Sequence, residues 1–268
     1  MTLTSYLVGL AGMNILAAGT WLVSYFKRDV SIVDSIWSIM ILLGSVIYVL
    51  GAESATMRTW IILGMVTVWA LRLSFYLTWR NWGEPEDRRY REIRERYESG
   101  FAWKSLGIIF IFQAVLAWVV SLPLWPALSL GNTIGFFDWI GMGLYGVGLA
   151  FETIADWQLA RFKADSINRG LVMDRGLWQY TRHPNYFGEC LIWWGFYLIA
   201  VSAGAWWTIP APLLMTWLLL KFSGVVLLES KIVERRPDYR EYIARTNAFL
   251  PGPRRSHGMG KNLKEQMS

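Results

Sequence analysis

Long apolar runs alternate with short polar stretches along this chain. The runs fall at roughly 3–26, 31–50, 57–79, 105–128, 137–161, 186–203 and 205–228, each close to the ~20 residues a helix needs to cross a bilayer. No stretch shows the period of two expected of a half-buried strand. The pattern predicts an all-α, polytopic membrane protein with seven transmembrane helices. The first run, from Thr2, is too long for a removed signal peptide, and no cleavage site follows it. From about Pro251 the chain becomes rich in Gly, Pro and Lys. That composition predicts a membrane domain over 1–250 and a flexible cytoplasmic tail over 251–268.

Composition agrees, because 54% hydrophobic residues and 17 Trp exceed what an ordinary soluble domain carries. The formal charge of +6 is unevenly spread. Basic residues gather at Lys27-Arg28, from Arg80 to Lys104, at Arg161, Lys163, Arg169, Arg175 and Arg182, and after the last run. The intervening loops hold almost none, Arg58 excepted. Alternate basic loops predict an outside N-terminus and a cytoplasmic C-terminus. They also explain the positive charge without a nucleic-acid partner. The single cysteine, Cys190, excludes an internal disulfide and reads as a packing residue. With only His183 and His257, a histidine-built metal site is not expected. No Gly-rich dinucleotide fingerprint or Walker motif is present.

Several charges lie inside the apolar runs, where they are costly unless they face a cavity or a partner. Asp34 lies one turn into the second run and Arg72 lies within the third. Glu152 and Asp156 share one face of the fifth, and Glu189 opens the sixth. Two readings stand: a structural Asp34–Arg72 ion pair, or a polar pocket opening to the cytoplasm. The stretch Gly176 to Glu189 is a further polar island. Pro184 turns the chain, so that a helix starts with Asn185 and Glu189 four apart on one face. Helix-start amides beside Arg182 suit an anionic or strongly polar ligand; the plainer reading is a membrane-surface turn. Arg88 to Tyr97 reads as a charged surface helix, either solvated or part of a lid over a polyanionic ligand.

These motifs are similar to those of the steroid 5α-reductase family, particularly its bacterial integral membrane branch. The run Gly176 to Glu189, the acidic face of the fifth run and the closing Glu229…Tyr239…Tyr242…Pro251 pattern resemble the family's C-terminal half. Val33-Asp34-Ser35-Ile36-Trp37, Leu71-Arg72-Leu73 and Arg80-Asn81-Trp82-Gly83 resemble its N-terminal features. The resemblance covers about residues 30 to 251. It implies an inner-membrane enzyme that reduces the C4–C5 double bond of 3-oxo-Δ4 steroids or similar lipid enones drawn from the bilayer. NADPH would be held in a cytoplasm-facing site.

By position, the resemblance assigns the cofactor to Asp156, Asn185, Tyr186 and Glu189. Asn81, Arg161, Lys163, Tyr180, Arg182, His183 and Glu229 are assigned to the same wall. Family members set a Glu on the second span and a Tyr on the third against the substrate ketone. Asp34 and Trp69 stand at those positions here. A protonated Asp34 would donate to the ketone; Tyr25, Tyr76 and Arg72 are the other candidate donors. The Arg182-His183-Pro184 motif is shared with membrane methyltransferases that use S-adenosylmethionine, which is the second reading. A non-catalytic lipid-binding protein is the third.

Overall fold

The computed structural model describes residues 2–97, 99–131, 133–222 and 238–255. Among them there are helices and turns and no strand. The long helices are α1 (Leu3–Lys27), α2 (Ile32–Leu50), α3 (Met57–Asn81), α8 (Phe136–Ala164) and α9 (Pro184–Ser202). A charged helix, α4 (Arg88–Tyr97), follows α3. Next come α5 (Phe101–Ser105), a π-helical turn and α6 (Phe112–Val120), which form one continuous segment. Near the end stand α10 (Pro210–Trp217) and α11 (Tyr239–Arg245).

Among the described residues, four segments are long and apolar enough to cross a membrane: Leu3–Lys27, Ile32–Leu50, Met57–Asn81 and Phe101–Val120. The fourth differs from the expected 105–128. It starts earlier and stops at Val120, where a turn leads through Pro123 into the short α7 (Leu124–Ser129). Proline has no amide hydrogen to continue a helical ladder, so a new helix starts there instead. Helices α8 and α9 form where the fifth and sixth runs predict them, but glycines and carboxylates dilute their apolar character.

The chain divides into two compact units, Met1–Met142 with Gly195–Pro212, and Gly143–Trp194 with Leu213–Ser268. In the first unit, Tyr6 stacks on Trp118 and Trp125 with ring centroids 4.3 and 4.8 Å away. The Tyr6 hydroxyl donates to the Trp118 carbonyl at 3.0 Å, and the Trp118 indole donates back to the Tyr6 carbonyl at 2.9 Å. Large aromatics thus bury area while their polar atoms stay paired. Arg58, the exception in the loop-charge pattern, is 1% exposed. It pairs with buried Asp138 at 2.9 Å and donates to the carbonyls of Ala127, Leu130 and Ile199. Asp138 also accepts from the Ser202 hydroxyl and the Gly135 amide. A buried charge is tolerated only with such complete hydrogen bonding.

In the second unit α8 and α9 cross at glycine. A Cβ on Gly188 would lie 2.5 Å from the Gly148 carbonyl oxygen. Small residues let helix backbones approach this closely. Residues 251–255, expected to be part of a loose tail, are held. The Gly252 amide donates to the Tyr180 carbonyl at 3.0 Å, the Arg255 amide to the Arg245 carbonyl at 2.9 Å, and Arg254 to Asp174. The rest of the expected tail lies outside the described residues.

Candidate functional site

The segment between α3 and α4 folds back onto the start of α2. The Asp87 amide donates to the Ser31 hydroxyl at 2.7 Å, and the Val30 amide donates to Glu86 at 2.9 Å. Arg94 grips the same Glu86 with two bonds, at 2.7 and 2.9 Å. This tether delivers α4 to Asp34. Arg89 donates to one Asp34 oxygen at 2.7 Å, and the Tyr90 hydroxyl donates to the other at 2.6 Å. Arg89 also bonds Asp87 at 3.1 Å.

One sequence expectation changes here. The ion pair that Asp34 makes is with Arg89, not Arg72. The Tyr90 hydroxyl on its other oxygen adds a further O–H donor to the candidates at this place.

The electrostatics follow from burial and charge. Tyr90 is 6% exposed. Burial, reinforced by Asp34, pushes its phenol well above the usual 10.0, so it keeps its proton at neutral pH. Burial works to lower the Arg89 pKa, but the Asp34 charge and the Asp87 bond outweigh it and push it up. Burial likewise works to raise Asp87, yet the bonds and charge of Arg89 hold it below the usual 3.8. The result is a neutral hydroxyl donor beside a fixed cation, the combination that stabilises a developing oxyanion.

The other expected catalytic residues lie on α1 and α3. Trp69 is fully buried and meets Trp37 edge-on at 6.4 Å. Tyr76 lies between two guanidinium groups of α3, Arg72 at 5.7 Å and Arg80 at 5.9 Å from its ring. Arg80 also donates to the Asn81 side-chain oxygen at 3.1 Å. Tyr25 is 45% exposed and lines a cavity at the end of α1.

In the second unit, the Gly148–Gly188 crossing sets the register of α8 against α9. Asp156 stands two turns beyond Gly148, and Asn185 stands one turn before Gly188. They meet: the Asn185 amide donates to Asp156 at 3.2 Å. His183 stacks on Tyr186, centroids 5.5 Å apart and planes 12° apart. Buried Glu189 accepts from the Trp193 indole at 2.8 Å. Arg161 and Lys163 are exposed on the last turn of α8, and the Arg161 guanidinium lies 5.5 Å from the Trp157 ring.

Arg182 and Tyr180 serve the chain terminus. Arg182 is 7% exposed, and its Nη1 donates to the carbonyls of Ile243 and Thr246. The Tyr180 carbonyl receives Gly252, and the Tyr242 hydroxyl donates to the Trp178 carbonyl. Arg182 is therefore a latch on α11, and its Nη1 is not available to a ligand phosphate. Glu229 lies outside the described residues.

The polar groups that could hold a cofactor here are the Asp156–Asn185 pair across α8 and α9, the His183–Tyr186 stack and the exposed cations at the end of α8. Sequence reasoning missed Arg89 and Tyr90. Their signal was Tyr90, Ile93 and Tyr97, the three uncharged residues of a charged helix, of which Tyr90 is buried.

The family model described as "Protein of unknown function (DUF1295)" matches residues 20–246. That family lies within the steroid 5α-reductase-like superfamily. Two uncharacterized proteins of Schizosaccharomyces pombe are similar to the chain. One is 29% identical over 94% of this chain and 81% of its own length. The other is 27% identical over 52% of this chain and 46% of its own. No solved structure matches the chain.

Proposed function

We propose, from the premise that the chain belongs to the DUF1295 family, that it is an NADPH-dependent enone reductase acting on 3-oxo-Δ4 steroids or related lipids. The observation that carries this reading is the Tyr90 hydroxyl, buried, neutral and held at 2.6 Å by Asp34 beside the Arg89 cation. Membrane methyltransfer needs no such ketone-polarising group. Reduction of an enone does, because negative charge develops on the ketone oxygen when hydride reaches the β-carbon.

In this reading Tyr90 turns its O–H from Asp34 to the ketone oxygen as the enolate forms. Arg89 keeps Asp34 oriented and adds its charge to the same site. Asp156 and Asn185 hold and orient the nicotinamide cofactor, with His183, Tyr186 and Glu189 in the same wall. Arg161 and Lys163 meet the 2′-phosphate. Bound NADPH supplies the hydride, and a proton reaching the α-carbon completes the saturated ketone. The sevenfold membrane crossing, with its basic loops and this chemistry on the cytoplasmic side of a bacterial inner membrane, belongs to the same proposal and rests on the loop charges.

The test is a panel of 3-oxo-Δ4 steroids and other lipid enones with purified protein and NADPH. Products would be identified by mass and stereochemistry. Saturation of the C4–C5 bond with matching NADPH oxidation is the expected result. Co-purified S-adenosylmethionine with no nicotinamide turnover would overturn it.

A further inference from the structure

Arg28 follows the last turn of α1 with φ 55, and it is the one non-glycine residue with positive φ among the described residues. Glycine ordinarily takes this left-handed capping position, because a Cβ there crowds the backbone. The cap itself is a backbone bond, from the Arg28 amide to the Ser24 carbonyl, and glycine would make it equally well. The cap therefore does not explain the arginine. A side chain kept at the cost of backbone strain points to a use for that side chain.

Beside Arg28 lies a cavity of about 370 Å³, within the size range of small-ligand sites. Its wall includes Arg28, Arg94, Tyr25, Phe26, Phe101 and Ser105. Arg94 is already neutralised by Glu86 at 2.7 Å and lies 4.4 Å from the Phe101 ring. Arg28 makes no ion pair among the described residues; Asp29, next to it in the chain, acts on Arg94 together with Glu86. Lys27 and Lys104 stand exposed in the chain segments that form the wall without lining it. Set against the carboxylates of Asp29 and Glu86, the cations Lys27, Arg28, Arg94 and Lys104 leave the local balance positive. The apolar side is equally marked, since Phe26 is 81% exposed at the polar end of a spanning helix. A soluble anion has no need of that ring, whereas a lipid has both a charged head and an acyl region.

We propose that this cavity binds the phosphate headgroup of an anionic phospholipid, with Arg28 as its charge partner and Tyr25 and Phe26 against the adjoining acyl region. Asp34, Arg89 and Tyr90 do not line it, so the proposal does not depend on the proposed reaction.

The test uses the purified full-length protein in detergent, titrated with phosphatidylglycerol, phosphatidylcholine and inorganic phosphate. Bound lipid is read by native mass spectrometry and stabilisation by melting temperature. Phosphatidylglycerol should bind and stabilise, and phosphatidylcholine should do neither. Arg28→Gly suits the left-handed backbone and so should fold, yet it should weaken phosphatidylglycerol about fivefold or more, the scale for one basic residue at an anionic surface. Arg28→Lys should stay near wild type, as should Arg169→Ala, an exposed cation outside the cavity. Wild-type affinity in Arg28→Gly, equal binding of phosphatidylcholine, or inorganic phosphate competing as tightly as the lipid would each overturn the proposal.

Discussion

Gly148 and Gly188 meet so closely that a Cβ on either would lie 2.5 Å from the other's carbonyl oxygen. This contact, and not any attraction between polar side chains, sets the distance at which Asp156 meets Asn185. The two nearest neighbours of the added Cβ of Gly188 are backbone atoms, the Gly148 carbonyl oxygen and the Glu152 amide at 2.7 Å, and they cannot rotate away. Gly188→Ala should therefore cost about 1–3 kcal/mol, the scale of overpacking, and under the proposed function weaken nicotinamide binding. Gly146→Ala, with nothing within 4 Å of its added Cβ, should be tolerated. Melting temperatures of both in detergent check this, and equal stability of the two would count against the contact.

The Arg58–Asp138 pair is expected to be structural. Removing one partner of a buried pair costs about 3–5 kcal/mol. Arg58→Met should be the worse single change, because it also strips the carbonyls of Ala127, Leu130 and Ile199 of their donor. A joint Arg58→Met, Asp138→Leu change should recover part of the loss, and only part, since those carbonyls stay unbonded. Yield of folded protein and melting temperature would show it.

Acid should loosen α4. Asp87 has its folded pKa below 3.8, so its contribution to stability is present above that value and is lost as pH falls through the lower folded value. Hydrogen exchange of the α4 amides should accelerate over that range. Asp87→Asn should show faster exchange already at neutral pH, with a flatter response to acid. An identical acid response in the two proteins would assign the effect to another group.

Tyr90→Phe keeps the buried ring and removes only the hydroxyl. Under the proposed reaction it should lower kcat by about 10²–10³-fold, the scale for one oxyanion donor, with a smaller change in KM. Asp34→Asn should act in the same direction, because it places a donor where an acceptor is needed by Arg89 or Tyr90. Wild-type turnover in Tyr90→Phe would remove it from the mechanism and return attention to Tyr76 and Tyr25.

Arg161 and Arg182 should separate cleanly. Under the proposed reaction, Arg161→Ala and Lys163→Ala should weaken NADPH more than NADH, since both side chains are exposed on the last turn of α8. Arg182→Ala should instead release α11 and lower stability, and under the proposed reaction weaken both nicotinamides alike. Binding of the two nicotinamides to each variant, measured beside melting temperature, decides between a phosphate reader and a latch.

The helical class and the membrane character were determined by the sequence itself. Apolar runs of spanning length admit few structures other than helices, because backbone polar groups in lipid must be satisfied within the segment. The turn at His183-Pro184 and the helix that begins there were equally legible, because proline acts locally. Which charge neutralises which was not legible. Asp34 has many arginines within reach in sequence, and only the fold-back of Glu86 and Asp87 onto Val30 and Ser31 selects Arg89 and Tyr90. The same holds for Arg182, whose setting beside His183 suggests a ligand and whose Nη1 bonds the carbonyls of Ile243 and Thr246. The glycine crossing of α8 and α9 was invisible for a similar reason. A glycine in sequence marks freedom, and only its neighbours in space reveal that it is there to let two backbones touch.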